Sequence, residues 1–190
     1  MNHTEIIATT RRWLSSIVIG LNLCPFAQRV FEAERIRYFV SDAVDEAGLA
    51  ACLSDELKLL AATPLETIET TLLIHPHVFR DFLDYNDFLE VADDLLVRLD
   101  LEGVVQVASF HPAYQFTDTE LDAVENYTNR SPYPMLHLLR EESVSAIADD
   151  AEKLLAIPDR NIATLRALGF SGILQMLAKA SAQQAPEPGA

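Results

Sequence analysis

Two short, apolar, β-branched runs, Glu69 to Ile74 and Gly103 to Phe110, are each stopped by a histidine and a proline, at His75-Pro76-His77 and at His111-Pro112. Proline has no N–H to give to a ladder, so each run ends as a strand at that point. Between them Tyr85, Phe88, Leu89, Ala92, Leu95, Leu96 and Leu99 recur at three and four residues, the period of a helix with one apolar face. Upstream, Ile36 to Val40 reads as a strand, and Leu49, Leu53, Leu57 and Leu60 trace a helix that Thr63-Pro64 breaks. Strand, helix, strand, helix, strand with short connections predicts crossovers and strands that share one direction. The expected fold is α/β (or α+β), a small mostly parallel sheet of about three to four strands with flanking helices and a C-terminal helical segment. A ferredoxin-like mixed sheet, with an additional strand before Ile36, is the alternative.

The remaining segments are less regular. Ile7, Trp13, Leu14, Ile17, Val18 and Leu21 predict a first helix that Asn22 and Pro25 stop. The polar, aromatic stretch from Pro112 to Ser131 has no period, and a loop of that length in a compact domain is expected to be functional or a lid. Ser131-Pro132-Tyr133-Pro134 predicts the start of a helix through Arg140, since proline is tolerated in a first helical turn. Ser143 is expected to cap a helix to about Leu155, Asp159 one that Gly169 ends, and Ser171 a last one. Residues 1–180 are expected to form one α/β domain and residues 181–190 a disordered tail.

Acidic residues outnumber basic ones 29 to 14, a formal net charge of -15. A field of that sign repels phosphate backbones and anionic lipid surfaces, so neither nucleic acid nor membrane is expected as a partner. Much of the acid lies on the outer faces of the Tyr85 to Leu99 helix, where it reads as a solvated surface. The apolar stretch from Trp13 to Leu23 is too short and too interrupted to span a bilayer or to serve as a signal peptide. Two cysteines, Cys24 and Cys52, make no disulfide scaffold and suit a reducing compartment, so a cytoplasmic location is expected.

Ligands of open parallel sheets bind beyond the carboxyl ends of the strands. Here those ends carry Ser41, Asp42, His75, His77 and His111, with His137 expected on the helix after the long loop. Histidine suits proton transfer near neutral pH and metal ligation alike, so His111 and His137 are candidate catalytic residues. His75 and His77, completed by His111 or His137, are candidate ligands of a divalent metal. Cys24, in Asn22-Leu23-Cys24-Pro25-Phe26, is either a nucleophile presented on a rigid bend or a small buried hydrophobe. Arg130, with Asn129 and Ser131 at an expected helix start, can grip a carboxylate or phosphate, and Tyr114 can wall the pocket. The bland readings stay beside these: imidazoles that bond their own loop backbone, and an arginine paired with one of many acids. Zincin, paired-cysteine, phosphate-loop and nucleophile-elbow motifs are absent. The expected function is that of a small-molecule enzyme with a His/Arg pocket at the strand ends, binding a small anionic molecule with or without a metal. The alternative is a non-catalytic metabolite-binding or protein-adaptor module.

The segments Asn22 to Phe26, Phe110-His111-Pro112-Ala113-Tyr114-Gln115-Phe116 and Glu125 through Glu141 resemble the signature of a bacterial family known as domain of unknown function 1415. The resemblance spans roughly Trp13 to Leu177. It implies a bacterial cytoplasmic origin and transfers no substrate, cofactor or catalytic residue.

Overall fold

A computed structural model describes residues 2–145 and 156–182. Four strands, β1 (Ile36–Val40), β2 (Thr70–Ile74), β3 (Val105–Phe110) and β4 (Met135–Arg140), form one sheet in the order β1-β2-β4-β3. β1 pairs parallel with β2, while β4 pairs antiparallel with both β2 and β3. Strands β1, β2 and β3 therefore point the same way, as the helical crossovers predict, and the α/β class holds. The pairing itself is mostly antiparallel, not mostly parallel, because β4 is inserted head-down between β2 and β3.

That strand corrects the expected helix from Ser131 to Arg140. Met135, Leu136, Leu138 and Arg140 are buried in the middle of the sheet, and a strand covered on both faces reads as an apolar run without alternation. Its residues favour helices intrinsically, and sheet pairing on both edges overrides that weak preference. The sheet is mixed, as in the alternative topology, but the additional strand follows the long loop and does not precede Ile36.

Helices cover both faces. On one, α3 (Glu46–Ala62) and α4 (Phe82–Arg98) pack Leu53, Leu57, Tyr85 and Phe88 onto Leu73, Leu136 and Leu138. Their starts are capped by Asp45, accepting from the Gly48 N–H, and by Asp81, accepting from those of Leu83 and Asp84. On the other face lie α1 (His3–Trp13), a π-helical continuation (Leu14–Ile19), α2 (Ala27–Glu32) and α6 (Ile157–Ala182). They bury Ile6, Trp13, Ile17, Leu165 and Ile173 against Leu72, Ile74 and Met135. The alternation of Leu72, Leu73 and Ile74 between the two cores is the pleat of a central strand.

The first helix ends where expected, with Asn22 at a left-handed φ of 52. α6 begins at Ile157, before the expected cap at Asp159, and breaks at Gly169, whose φ of 68 suits glycine. After β4 a helix, α5 (Glu141–Ser145), starts two residues before Ser143, so Ser143 lies inside it and does not cap it; the rest of the helix expected to Leu155 lies outside the described residues, and of the tail expected over residues 181–190 the first two close α6 while the others lie outside. Among the described residues no helix is long and apolar enough to cross a membrane.

Candidate functional site

The shared direction of β2 and β3 brings His75 and His111 to one edge. Ile74 and Phe110 both stand opposite Met135, so the two histidines follow at the same level on either side of β4. Tyr85 of α4 lies between them, its ring 5.6 Å from that of His75 and 5.2 Å from that of His111. Its hydroxyl donates to the Met135 carbonyl at 2.9 Å and accepts the Phe110 N–H at 3.0 Å. Both imidazoles are buried and bonded to backbone. His75 Nδ1 donates to the Val78 carbonyl at 3.2 Å; His111 Nε2 donates to that of Phe79 at 3.2 Å, while its Nδ1 accepts the Ala113 N–H at 3.0 Å. Burial lowers both pKa values, that of His75 to about 4, so the pair is neutral near pH 7. His77 is exposed. Among the described residues no three histidine, cysteine or acidic side chains are grouped to hold a metal.

The long loop folds onto this edge and consumes its own polar groups. Asn126, fully buried, accepts from the Phe116 N–H and the Thr119 hydroxyl and donates to the Glu120 carbonyl. Asn129 Nδ2 donates to Ser109 at 3.0 Å, and the Ser131 hydroxyl to the Tyr133 carbonyl. Arg130 donates from Nε to the Tyr114 carbonyl at 3.0 Å and from one terminal nitrogen to that of Leu121, with its guanidinium 4.8 Å from the centre of the Tyr127 ring. The Tyr114 ring packs on Phe82 at 5.0 Å, and Phe82 in turn on His111 at 5.5 Å. The helix start on which anion binding by Arg130, Asn129 and Ser131 was expected is absent, because the segment leads into β4.

His137 is also on β4, on the opposite face of the sheet from His75 and His111. There Cys24 and His137 line one cavity between the sheet and the helices α1 and α2, together with Trp13, Val18, Thr70 and Phe110. It leaves about 90 Å³ for the centres of water-sized atoms, several times what a single water needs. The walls are nearly all apolar. The polar exceptions are few and specific. Thr70 Oγ1 lies 2.6 Å from His137 Nε2 and 2.6 Å from the Leu138 carbonyl. The Ser143 hydroxyl, also in the wall, is buried and has no hydrogen-bond partner among the described residues. Glu69, 2% exposed, is held by Arg29 of α2 and faces Arg35 at 3.7 Å.

Burial sets the charge of this site as well. It lowers the His137 pKa to about 4, leaving a neutral imidazole. It raises that of the Cys24 thiol, an effect that hydrogen bonds from the Phe26 and Ala27 backbone and the charge of Arg160 only partly offset. The cavity wall thus presents a thiol and not a thiolate. Thr70, Ser143 and Trp13 were not singled out from the sequence. The period-two pattern of β2 places Thr70 on the face of Leu72, but its partner His137 becomes visible only once Met135–Arg140 is read as a strand.

The model of a family described as "Protein of unknown function (DUF1415)" matches residues 5–175. No curated protein matches the chain, and no solved structure does.

Proposed function

We propose, from the premise that the chain belongs to the DUF1415 family of proteins of unknown function, that it binds a small, largely apolar molecule in the cavity between the sheet and α1 and α2. One observation carries this reading: a concave apolar space with a few polar groups in its wall, one of them unpaired among the described residues, is the usual form of a small-molecule site. The strand-end edge supports it less well. A ligand there would have to displace the carbonyls that already occupy His111 and Arg130. The anionic ligand expected from Arg130 is disfavoured in the cavity too, where nearly all of the wall is apolar and an anion would lose its hydration. We place the protein in the bacterial cytoplasm, a location with which the free thiols Cys24 and Cys52 agree. Its charge of -15 favours an uncharged partner over nucleic acid.

An enzyme is the second reading, favoured by the presence of Cys24 and His137 in one wall. A ligand that brought the imidazole to the thiol would supply the proton acceptor that thiolate chemistry needs. Binding comes first because burial leaves the wall with neither a thiolate nor a charged imidazole.

The test is built into the chain, whose single tryptophan, Trp13, lines the cavity. Six-carbon to ten-carbon alcohols, ketones and aromatic hydrocarbons, added singly at up to millimolar concentration, are expected to shift Trp13 emission saturably. They are also expected to slow alkylation of Cys24 by a maleimide while leaving Cys52 unchanged. Linear, non-saturating responses from every compound, with no protection of Cys24, would refute the reading.

A further inference from the structure

The hydrogen bonds around Thr70 determine what kind of polar group the cavity can accept. A threonine hydroxyl has one proton to give. The Leu138 carbonyl is an acceptor only and lies 2.6 Å from Thr70 Oγ1, so that proton is committed to it. His137 Nε2 lies at the same distance from the same oxygen; were it a lone pair, two acceptors would oppose each other at 2.6 Å. Nε2 must therefore donate. The ring is neutral in this buried wall, so its other nitrogen, Nδ1, carries the lone pair. No group among the described residues is hydrogen-bonded to Nδ1, although the ring is partly accessible from the cavity in the middle of a central strand. The buried Ser143 hydroxyl, also in the wall, has no hydrogen-bond partner among the described residues.

We infer that the ligand is an uncharged apolar molecule bearing a hydroxyl group, whose proton is accepted by His137 Nδ1. A carboxylate meets the lone pair of Nδ1 and loses its hydration among apolar walls, and an ether or ketone has no proton to give. An ammonium can donate, but it forfeits its hydration in an apolar enclosure. Thr70 is a positioning residue in this account, since it acts through the imidazole tautomer and not on the ligand.

This inference rests on the cavity being the binding site, and the test separates the two. The probes are 1-hexanol, its isomer methyl pentyl ether and hexanoate, each titrated against the full-length protein with Trp13 emission as the signal. The alcohol is expected to bind at least about tenfold more tightly than the ether, equivalent to about 1.4 kcal/mol, with hexanoate weakest. In Thr70→Val the constraint on Nε2 is gone, and the preference for the alcohol is expected to fall below about threefold while apolar affinity persists. Nitrogen-15 spectra of the unliganded wild type give an independent reading: His137 is expected to show Nε2 protonated and Nδ1 bare. Equal affinity for alcohol and ether, or a proton on Nδ1, overturns the donor inference and leaves the cavity reading standing. Failure of all three probes to move Trp13 emission overturns both.

Discussion

Replacing Tyr85 with phenylalanine removes one oxygen atom and leaves the buried ring where it is. That oxygen donates to the Met135 carbonyl of β4 and accepts the Phe110 N–H of β3, so it joins α4 to two strands at the edge where His75 and His111 stand. Tyr85 is completely buried, and water cannot take over either role. Each unsatisfied buried backbone group costs about 1–3 kcal/mol, and relaxation at the strand ends recovers part of it, so a loss of about 3 kcal/mol is expected for Tyr85→Phe. For a chain of 190 residues that corresponds to a fall in Tm of about 6–12 °C. Urea unfolding followed by circular dichroism should show a lower midpoint with an unchanged slope, because the surface exposed on unfolding is nearly the same. A loss under about 1 kcal/mol would mean that the hydroxyl is not the tie described here.

Acid should destabilise the fold through its imidazoles. His75 and His137 have folded pKa values of about 4, below the ordinary 6.5, so between those limits the unfolded chain binds more protons. Stability is then fully present above about pH 6.5, falls as pH drops toward 4, and is flat with respect to these groups below that, at up to about 3 kcal/mol per histidine. Unfolding at a series of pH values checks it, and His75→Gln should flatten the profile; a wild-type stability level from pH 7 to 4.5 contradicts it. Asn126→Ala leaves the Phe116 N–H and the Glu120 carbonyl without their partner and is expected to cost about 2–3 kcal/mol, with faster amide exchange along residues 116–129. Arg130→Ala should loosen the same loop but leave the affinity of 1-hexanol within about twofold, because no part of Arg130 lines the cavity; a larger loss would return the loop to the site. Cys24 should alkylate slowly at pH 7 and faster as pH rises past 9, in keeping with a thiol whose pKa burial has raised.

The strands that end in histidine and proline were legible because their limits are written locally: β-branched runs, a proline stop, and an amphipathic helix between them. Their common direction followed from the crossovers, and it brings His75 and His111 together as parallel strands require. Met135–Arg140 was not legible, since a short, largely apolar run after Pro134 satisfies a helix as readily as a central strand, and only pairing with β2 and β3 decides. That single ambiguity moved His137 from the rim to the opposite face of the sheet, and with it the link to Thr70 and Cys24. Arg130 shows a different limit. Its residue type announces an anion site, yet which carbonyls reach its guanidinium depends on the path of a loop that no periodicity encodes.

Amide chemical-shift mapping with 1-hexanol tests the location of the site most directly, because it reads every backbone position at once and assumes nothing about function. The account expects saturable shifts centred on Trp13, Val18, Cys24, Thr70 and His137, with His75, Tyr114 and Arg130 unmoved. Shifts centred on that second group, or none that saturate, would contradict it.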